Sequence, residues 1–355
     1  MSEQKIGISG AGVALPYHRI KVAAIRDAWD NTPESVAQRL GVVERGVIDP
    51  DADVVTLAIE AGHQALEGVA PESVGAVFLG TQSGPYVDRA NAAIVAEALL
   101  CGLDTFATDV QFSGKSGTSA LLAALAFVRA GMADAALAIG ADAIDIHVAP
   151  GDPAELTASC GAAALLVTRS PTLAQFEAHS SVSSDTPDSF RLDGERYIRN
   201  TGAVMTATGV GELAHVRAAW ERLGAKLAWP TDGIAHLACH QRDGAGPGRL
   251  AKALGLGPNV TKAGMIADRL GDAGAAAPLL SLIRVLDLSQ AGDHAVLIAY
   301  GAGAGADALA FQICSSTVTP RVESKLRIRK LIDYATAVRF ERRYHGHERP
   351  SSAFE

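Results

Sequence analysis

The chain has 355 residues, of which 31 are Lys or Arg and 39 are Asp or Glu, so its formal net charge is −8. This acidic balance argues against nucleic-acid binding as the main activity, because neutralising phosphates needs a basic surface. With 48% hydrophobic and 20% charged residues, the chain lies outside the composition of disordered proteins. Its length suits about two domains, or one large fused unit, with a large core.

The four cysteines, Cys101, Cys160, Cys239 and Cys314, are widely separated and show no Cys-x-x-Cys spacing. Neither a disulfide framework nor a zinc cluster is predicted, and a reducing, cytoplasmic location is expected. The first 16 residues lack the basic and apolar segments of a signal peptide. No apolar run reaches the roughly 18 residues of a membrane-spanning helix, so we expect a soluble protein.

The first half of the chain alternates strand-like and helix-like segments, which is typical of α/β proteins with buried, mostly parallel strands. Strands are predicted at Lys5–Ala14, Val74–Gly80, Thr105–Phe112, Ala135–Ile139 and Ala162–Val167. Helices are predicted at Asp53–Leu66, Asn91–Leu100 and Thr118–Ala130.

The second half repeats this order of elements. Strands are predicted at Leu173–Ser183, Ile234–Cys239 and Ala295–Tyr300, and helices at Ala214–Leu227, Pro247–Leu254 and from the turn at Gly271–Ala277 through Leu286. In both halves a glycine turn precedes a long apolar helix and a strand that ends in Gly-Ala. This repeat of about 160 residues predicts a duplicated α/β unit, with residues 1–170 and 171–316 as its halves.

The last segment, residues 317–355, breaks the pattern because basic residues outnumber acidic ones in it. Apolar residues run through its first part. The segment is therefore either an arm that docks on an acidic partner or a C-terminal helix that packs on its own subunit.

Residues 109–120 (DVQFSGKSGTSA) form a strand that passes through a turn of small residues into a helix. Such an elbow exposes a nucleophile at a helix N-terminus, where the macrodipole and free N–H groups stabilise negative charge. The elbow holds Ser113, Ser116 and Ser119 and no cysteine. Serine and glycine also begin ordinary helices, so a purely structural role stays open.

His240 follows a predicted strand and precedes a Gly/Pro loop, in ACHQRDG. A histidine there suits general base or donor chemistry, and a hydrogen-bonded loop histidine is the alternative. Asp272 lies at the mouth of a helix, where it either caps the helix or reaches into a cleft. Gln82, at another strand end, forms hydrogen bonds but cannot carry a proton as a carboxylate does.

Together these segments resemble the thiolase-fold condensing enzymes, in the branch of ketoacyl synthase III and hydroxymethylglutaryl-CoA synthase. The resemblance covers nearly the whole chain and includes YGAGAG at residues 300–305. Residues 110–121 (VQFSGKSGTSAL), 137–142 (LAIGAD) and 271–274 (GDAG) are most similar to the ketoacyl-synthase-III-like subunits of diacetylphloroglucinol acetyltransferase complexes. The resemblance implies a thiolase fold: duplicated mixed-sheet α/β units in five αβαβα layers.

The resemblance also implies which positions carry chemistry. The synthase elbow reads approximately EFACKAGT, and its cysteine, which accepts the acyl group, falls on Gly114. The acid/base glutamate matches Gln82, the active-site asparagine matches Asp272, and the histidine is kept as His240. Three of four positions differ in type. Ser116 is the alternative nucleophile, and Ser113 lies in the same elbow.

A thiolate reacts near neutral pH far more readily than a serine hydroxyl without a base, so the missing cysteine weighs heavily. Cys160 would have to reach the cleft from another loop, and a small buried core residue is the favoured interpretation.

The leading hypothesis is therefore a non-catalytic or weakly catalytic subunit that scaffolds a multi-subunit acyltransferase for C-acetylation of a phenolic acceptor or related acyl-thioester chemistry. The resemblance implies two partners, a thiolase-like subunit with the working cysteine and a zinc-binding OB-fold protein, in a homo- or hetero-oligomer. No tightly bound cofactor or metal is expected, and acyl-CoA is the expected ligand. The alternative is an independent acyl-CoA condensing enzyme or hydrolase that uses a serine elbow with His240. A module that binds CoA without turnover is compatible with the scaffold.

Overall fold

The structure, a computed structural model, describes residues 5–186, 188–201, 210–316 and 320–342. The strands in these ranges are β1 (Gly7–Ala14), β2 (His18–Lys21), β3 (Glu44–Val47), β4 (Val74–Thr81), β5 (Phe106–Gln111), β6 (Ala135–Ala143), β7 (Cys160–Thr168), β8 (Ala174–Val182), β9 (Ser189–Phe190), β10 (Arg199–Asn200), β11 (His236–Cys239), β12 (His294–Gly301), β13 (Gly305–Ile313) and β14 (Lys330–Leu331).

The α-helices are α1 (Val22–Trp29), α2 (Glu34–Leu40), α3 (Val54–Ala65), α4 (Asn91–Ala98), α5 (Ser116–Ala130), α6 (Glu212–Gly224), α7 (Gly246–Ala253), α8 (Ala267–Leu270), α9 (Ala276–Leu288), α10 (Arg321–Arg327) and α11 (Tyr334–Phe340). Among the described residues, none of these helices combines the length and apolarity needed to cross a membrane.

Nine strands form one sheet in the order β11-β12-β13-β8-β1-β7-β6-β4-β5. The pairs β4–β5, β4–β6 and β11–β12 are parallel, and the pairs toward the middle of the sheet are antiparallel. The expectation of mostly parallel strands is therefore wrong. Helices cover both faces of this sheet, so antiparallel strands such as β7 and β12 are buried along nearly their whole length, as parallel strands usually are.

The five-layer arrangement follows from the alternation of side chains along the strands. In β4, Ala76 and Phe78 pack into the central core with α5 and α9, whereas Val77 and Leu79 pack with α3 and α4 on the other face. Because consecutive strand residues face opposite sides, each half of the sheet lies between two helix layers.

The second half repeats this pattern. Ala295 and Leu297 of β12 face the same central core, and Val296 and Ile298 face the residues of α6. The order of layers is thus α3 with α4, the first half of the sheet, α5 with α9, the second half of the sheet, and α6. The predicted αβαβα arrangement is confirmed, and it places two glycine-rich helix starts at one seam. The division into 1–170 and 171–316 stays a prediction; β7 ends at Thr168 and β8 begins at Ala174 within the same sheet.

The described part of the C-terminal segment packs on its own chain. Val322 and Leu326 of α10 belong to the central core, and Arg321 forms an ion pair of 2.6 Å with Asp287. At its far end, Glu341 forms a buried ion pair of 2.6 Å with Arg45 of β3. Residues 320–342 thus match the second of the two predicted alternatives, and residues 343–355 lie outside the described ranges.

Candidate active site

The elbow between β5 and α5 lies against the second half of the chain. Gly114 has a φ of +70°, and a Cβ built there would lie 2.2 Å from the carbonyl oxygen of Tyr300. A Cβ on Gly117 would lie 2.2 Å from the carbonyl oxygen of Ala275. Both glycines allow the backbones of the two halves to touch, and the position that matches the synthase cysteine has no room for a side chain without a backbone shift.

A buried charge network fixes this elbow. Lys115 Nζ lies 3.0 Å from Asp307 Oδ1, and the side chains of both residues are at most 8% exposed. Thr118 donates to Asp307 Oδ2 at 2.9 Å, and Ser181 donates to Oδ1 at 2.8 Å. Because Asp307 lies on β13, this network ties the start of α5 to the second half of the sheet.

The two candidate elbow serines lie in different environments. Ser113 borders the cleft described below. Ser116 is fully buried, and its hydroxyl has no hydrogen-bond partner among the described residues. The prediction of Ser116 as a nucleophile therefore needs correction: the first turn of α5 points its hydroxyl into the protein, away from the cleft.

None of the four cysteines lines a cavity found in the described ranges. Burial raises the pKa of the Cys101 thiol to about 11 and that of Cys239 to about 12, and it raises the pKa of Cys160 well above its ordinary value. These thiols are in the unreactive protonated form at neutral pH. Cys160 is the small buried core residue that was favoured from the sequence.

His240 and Asp272 meet in the cleft. Nε2 of His240 lies 3.1 Å from Oδ1 of Asp272, and Nδ1 lies 3.2 Å from the carbonyl oxygen of Tyr300. A carboxylate and a carbonyl only accept hydrogen bonds, so both ring nitrogens must donate, and His240 is an imidazolium. Oδ1 of Asp272 also accepts from the backbone N–H of Gly274 at 2.9 Å.

The two charges stabilise each other. Burial opposes the charged form of His240, but the charge of Asp272 and its hydrogen bond outweigh it and raise the His240 pKa. Burial likewise opposes ionisation of Asp272, and the charge of His240 with the hydrogen bonds from His240 and Gly274 lowers the Asp272 pKa. At neutral pH the cleft therefore holds a carboxylate against an imidazolium.

Gln82 is positioned by a buried aspartate. Asp142 Oδ1 accepts from the backbone N–H of Gln82 at 2.8 Å and from the Ser83 hydroxyl at 2.6 Å. Its Oδ2 accepts from Ala275 N–H at 2.7 Å and from the side-chain amide of Gln82 at 3.3 Å. Burial raises the Asp142 pKa against the lowering effect of these donors. Asp142 thus connects the end of β4 with the turn that carries Asp272.

Two neighbouring cavities meet at this site. A cleft of about 510 Å³ brings together four predicted positions, Gln82, Ser113, His240 and Asp272. A second cavity of about 610 Å³ shares His240, Arg242 and Asp243 with the cleft and is lined further out by Arg217 and Arg249. Gly114 itself does not line either cavity, whereas its neighbour Ser113 lines the cleft.

Sequence reasoning left two residues of the site unassigned. Asp142 is a charged residue in an otherwise apolar strand, and a buried charge needs partners, so this pattern was a usable signal. Arg242 follows His240 by two positions, and its guanidinium lies 5.6 Å from the centre of the Tyr300 ring. Among the described residues, no group of three or more His, Cys, Asp or Glu is arranged to hold a metal ion.

The chain is similar to proteins named hydroxymethylglutaryl-CoA synthase. It is 33% identical over 347 residues to the one from Methanosphaera stadtmanae, an alignment that covers 94% of this chain and 98% of that protein. It is 34% identical over 345 residues to the one from Archaeoglobus fulgidus, an alignment that covers 95% of this chain and 99% of that protein. No family model matches the chain.

Solved structures are similar in fold. MvaS in complex with 3-hydroxy-3-methylglutaryl coenzyme A matches with a TM-score of 0.85 at 21% identity, covering 95% of this chain and 91% of that one. The 3-oxoacyl-(acyl carrier protein) synthase III of Pseudomonas aeruginosa PAO1 matches with a TM-score of 0.79 at 23% identity, covering 89% and 100%. The expected thiolase fold of this branch is confirmed.

The expectation of a non-catalytic scaffold in a multi-subunit acyltransferase is wrong. Relatives that are 33–34% identical and align with about 95% of the chain carry the name of an enzyme. The error came from giving the missing cysteine more weight than the charged pair that the cleft retains.

Proposed function

The chain belongs to the hydroxymethylglutaryl-CoA synthase family, and from this we propose that it is a catalytic enzyme that forms a carbon–carbon bond on a CoA thioester. The observation that carries the proposal is the His240–Asp272 pair, 3.1 Å apart in a cleft of about 510 Å³. In this proposal the pair performs acid–base catalysis directly on the thioester, and no acyl group is transferred to the chain.

Asp272 is the base in this proposal. Its Oδ1 is engaged by His240 and Gly274, whereas Oδ2 accepts no hydrogen bond from the described residues. An ionised carboxylate can remove a proton from the carbon next to a thioester carbonyl. The Asp272 side chain is 17% exposed, so a substrate in the cleft can reach Oδ2.

His240 and Gln82 stabilise the charge that forms. When the C–H bond breaks, negative charge develops on the thioester oxygen, and the positive charge of the nearby imidazolium, together with an amide N–H that faces this oxygen, lowers the barrier. Both side chains line the same cleft, and both are fixed by other contacts, His240 by Tyr300 and Gln82 by Asp142.

The proposed reaction is an aldol-type addition. Asp272 takes the α-proton of the acyl-CoA, the resulting enolate attacks the carbonyl carbon of a second substrate, and the new alkoxide takes the proton back from Asp272. One C–C bond forms, one C–H bond breaks, and the thioester stays intact. No nucleophilic side chain takes part, which agrees with the unsubstituted position at Gly114.

The outer cavity suits the CoA portion of the substrate. Arg217, Arg242 and Arg249 line it, and guanidinium groups pair well with phosphates. The cavity joins the cleft at His240, so a long thioester arm would run from the arginines to the His240–Asp272 pair. A solved hydroxymethylglutaryl-CoA synthase of the same fold is complexed with CoA.

The test is exchange of the methyl protons of acetyl-CoA in D₂O, followed by NMR. The wild-type chain is expected to catalyse exchange, because exchange needs only the base and the oxygen-stabilising groups. Asp272→Asn should lower the exchange rate by roughly 10²- to 10⁴-fold, the usual contribution of a general base. Asp51→Asn changes an exposed aspartate in the same way and should leave the rate unchanged.

The proposal fails if wild-type chain catalyses no exchange and no addition with any carbonyl acceptor, or if Asp272→Asn exchanges at the wild-type rate. An acetyl group on Ser113 would contradict the direct mechanism.

Other expectations stay predictions. The finer likeness to subunits of diacetylphloroglucinol acetyltransferase, the thiolase-like and OB-fold partners, the homo- or hetero-oligomer and the cytoplasmic location are tested by none of these observations.

A further inference from the structure

A second pair of reactive side chains lies outside the cleft. Ser184, in the segment after β8, contacts Nε2 of His215 on α6 through its hydroxyl. The groove beside Ser184 shares no lining residue with the cavities around His240. Ser184 is exposed, whereas His215 is 7% exposed.

The backbone orients His215 for general base chemistry. Nδ1 of His215 lies 2.6 Å from the carbonyl oxygen of Gly211, and a carbonyl accepts only, so Nδ1 carries a proton. In the neutral ring Nε2 is then the acceptor, and it faces the Ser184 hydroxyl. A nucleophile, a base and a third group that orients the base are the parts of an activated serine.

The third side chain near Nε2 does not compete as a nucleophile. The Thr186 hydroxyl lies 3.3 Å from Nε2 of His215 and 3.2 Å from the Ser184 hydroxyl, but Thr186 is buried. Of the two hydroxyls at His215, Ser184 is the one that solvent and a substrate reach.

The groove also supplies a cation. Ser184 lines an open groove of about 500 Å³ together with Phe112 and Lys115. An ammonium has three hydrogens, and Lys115 donates one of them to Asp307. Lys115 is nearly buried, and its positive charge at the wall of the groove favours an oxyanion that forms there. The Phe112 ring, 5.7 Å from Lys115 Nζ, gives the same groove an apolar wall.

We propose that Ser184 and His215 form a second acyl-transfer site that hydrolyses small carboxylic esters. The Ser184 oxygen attacks the ester carbonyl, its proton passes to His215 Nε2, and this proton then leaves with the alcohol. Water attacks the acyl-serine in the same way and releases the acid. One ester and one water give one acid and one alcohol, and no other reactant is needed. This site is independent of the proposed condensation at His240.

The experiment uses the full chain with two probes, p-nitrophenyl acetate for turnover and a fluorophosphonate for covalent labelling located by peptide mass spectrometry. The expected results are ester hydrolysis and a label on Ser184. Ser184→Ala should remove the label and reduce hydrolysis to background. His215→Gln should slow labelling of Ser184 by roughly 10²-fold or more.

Ser170→Ala is the matched control, because Ser170 is an exposed serine outside the groove. It should keep hydrolysis within twofold of wild type and keep the label on Ser184. Hydrolysis at the wild-type rate in Ser184→Ala, or absence of label from Ser184 in the wild type, overturns the proposal. If His215→Gln does not fold, Ser184→Ala alone decides the proposal, because Ser184→Ala alters an exposed side chain and is expected to fold.

Discussion

Two glycine-rich turns face each other across the seam, and they differ in what they contribute. The elbow around Gly114 is closed: its glycine touches the Tyr300 carbonyl and Lys115 is paired with Asp307 inside the protein. The turn around Asp272 is open: its carboxylate faces the cleft and pairs with His240. The first turn joins the two halves with its charges buried, and the second presents its charges to the cleft.

This difference shows that a fold can retain its cleft while one side of it loses reactive side chains. The elbow still begins a helix and still packs on the second half, so its stability does not depend on a nucleophile. The Asp272 turn keeps a charge pair that packing alone does not require. We therefore expect elbow variants to change mainly stability and variants of the Asp272 turn to change mainly activity.

The largest stability effect is expected for Lys115→Met. Removing one partner of a buried ion pair leaves Asp307 uncompensated and costs about 3–5 kcal/mol. Lys325→Met makes the same substitution in an exposed pair with Glu60 and should cost less than about 1 kcal/mol. Chemical denaturation measures the free energy of unfolding of both variants. If both lose the same amount, the elbow network does not hold the two halves of the chain together.

The next effect is expected for Gly114→Ala, at about 3 kcal/mol. A side chain at positive φ costs about 1–2 kcal/mol, and relieving the contact with Tyr300 adds strain. Gly68 has a φ of +77° with nothing within 4 Å of a built Cβ, so Gly68→Ala isolates the cost of φ alone. If both variants lose the same free energy of unfolding, the close contact between Gly114 and the Tyr300 carbonyl does not exclude a side chain at position 114.

A smaller effect, on the order of 2 kcal/mol, is expected from the pH dependence of the His240–Asp272 pair. The raised pKa of His240 stabilises the folded state. This contribution is fully present below the ordinary histidine pKa of 6.5 and is lost as the pH rises through the pKa in the folded protein. The lowered pKa of Asp272 contributes stability above its ordinary 3.8, which is lost as pH falls through the folded value.

Wild type should therefore exceed Asp272→Asn in stability most strongly between about pH 4 and 6.5. Denaturation of both chains across pH 3 to 9 measures this difference. If this difference in stability does not vary with pH, the two side chains do not interact through opposite charges.

The smallest effect is expected for Ser113→Ala, which should change the rate of acetyl-CoA proton exchange by less than about twofold. Ser113 borders the cleft but lies on the closed turn, and in the direct mechanism it neither takes a proton nor receives an acyl group. A large loss of exchange would place chemistry on the elbow and reverse the contrast between the turns.

Much of the fold was predictable from apolar periodicity. The predicted helix at Asn91–Leu100 is observed at Asn91–Ala98, and the strand at Ala295–Tyr300 at His294–Gly301. The short elements α1, α2 and β3 and the strand β13 were missed. A glycine-rich turn precedes β13, and glycines weaken a strand signal. Strand direction was misjudged because burial on both faces removes the alternation that distinguishes antiparallel strands.

The site was predictable as a set of positions but not as a set of interactions. Asp272 was considered either a cap or a cleft residue, and it is both, since Oδ1 accepts from Gly274 and from His240. The burial of Ser116 depends on the rotation of α5, which residue type does not reveal. Ser184 and His215 are separated by 31 residues in the chain, so only the folded structure brings them together.

The most direct test of the central claim is peptide-level mass mapping of wild-type chain while it exchanges the protons of acetyl-CoA. We expect exchange that depends on Asp272, with every cleft peptide, including the one that holds Ser113, at its unmodified mass. An acetyl group on any residue that lines the His240–Asp272 cleft during exchange would contradict it.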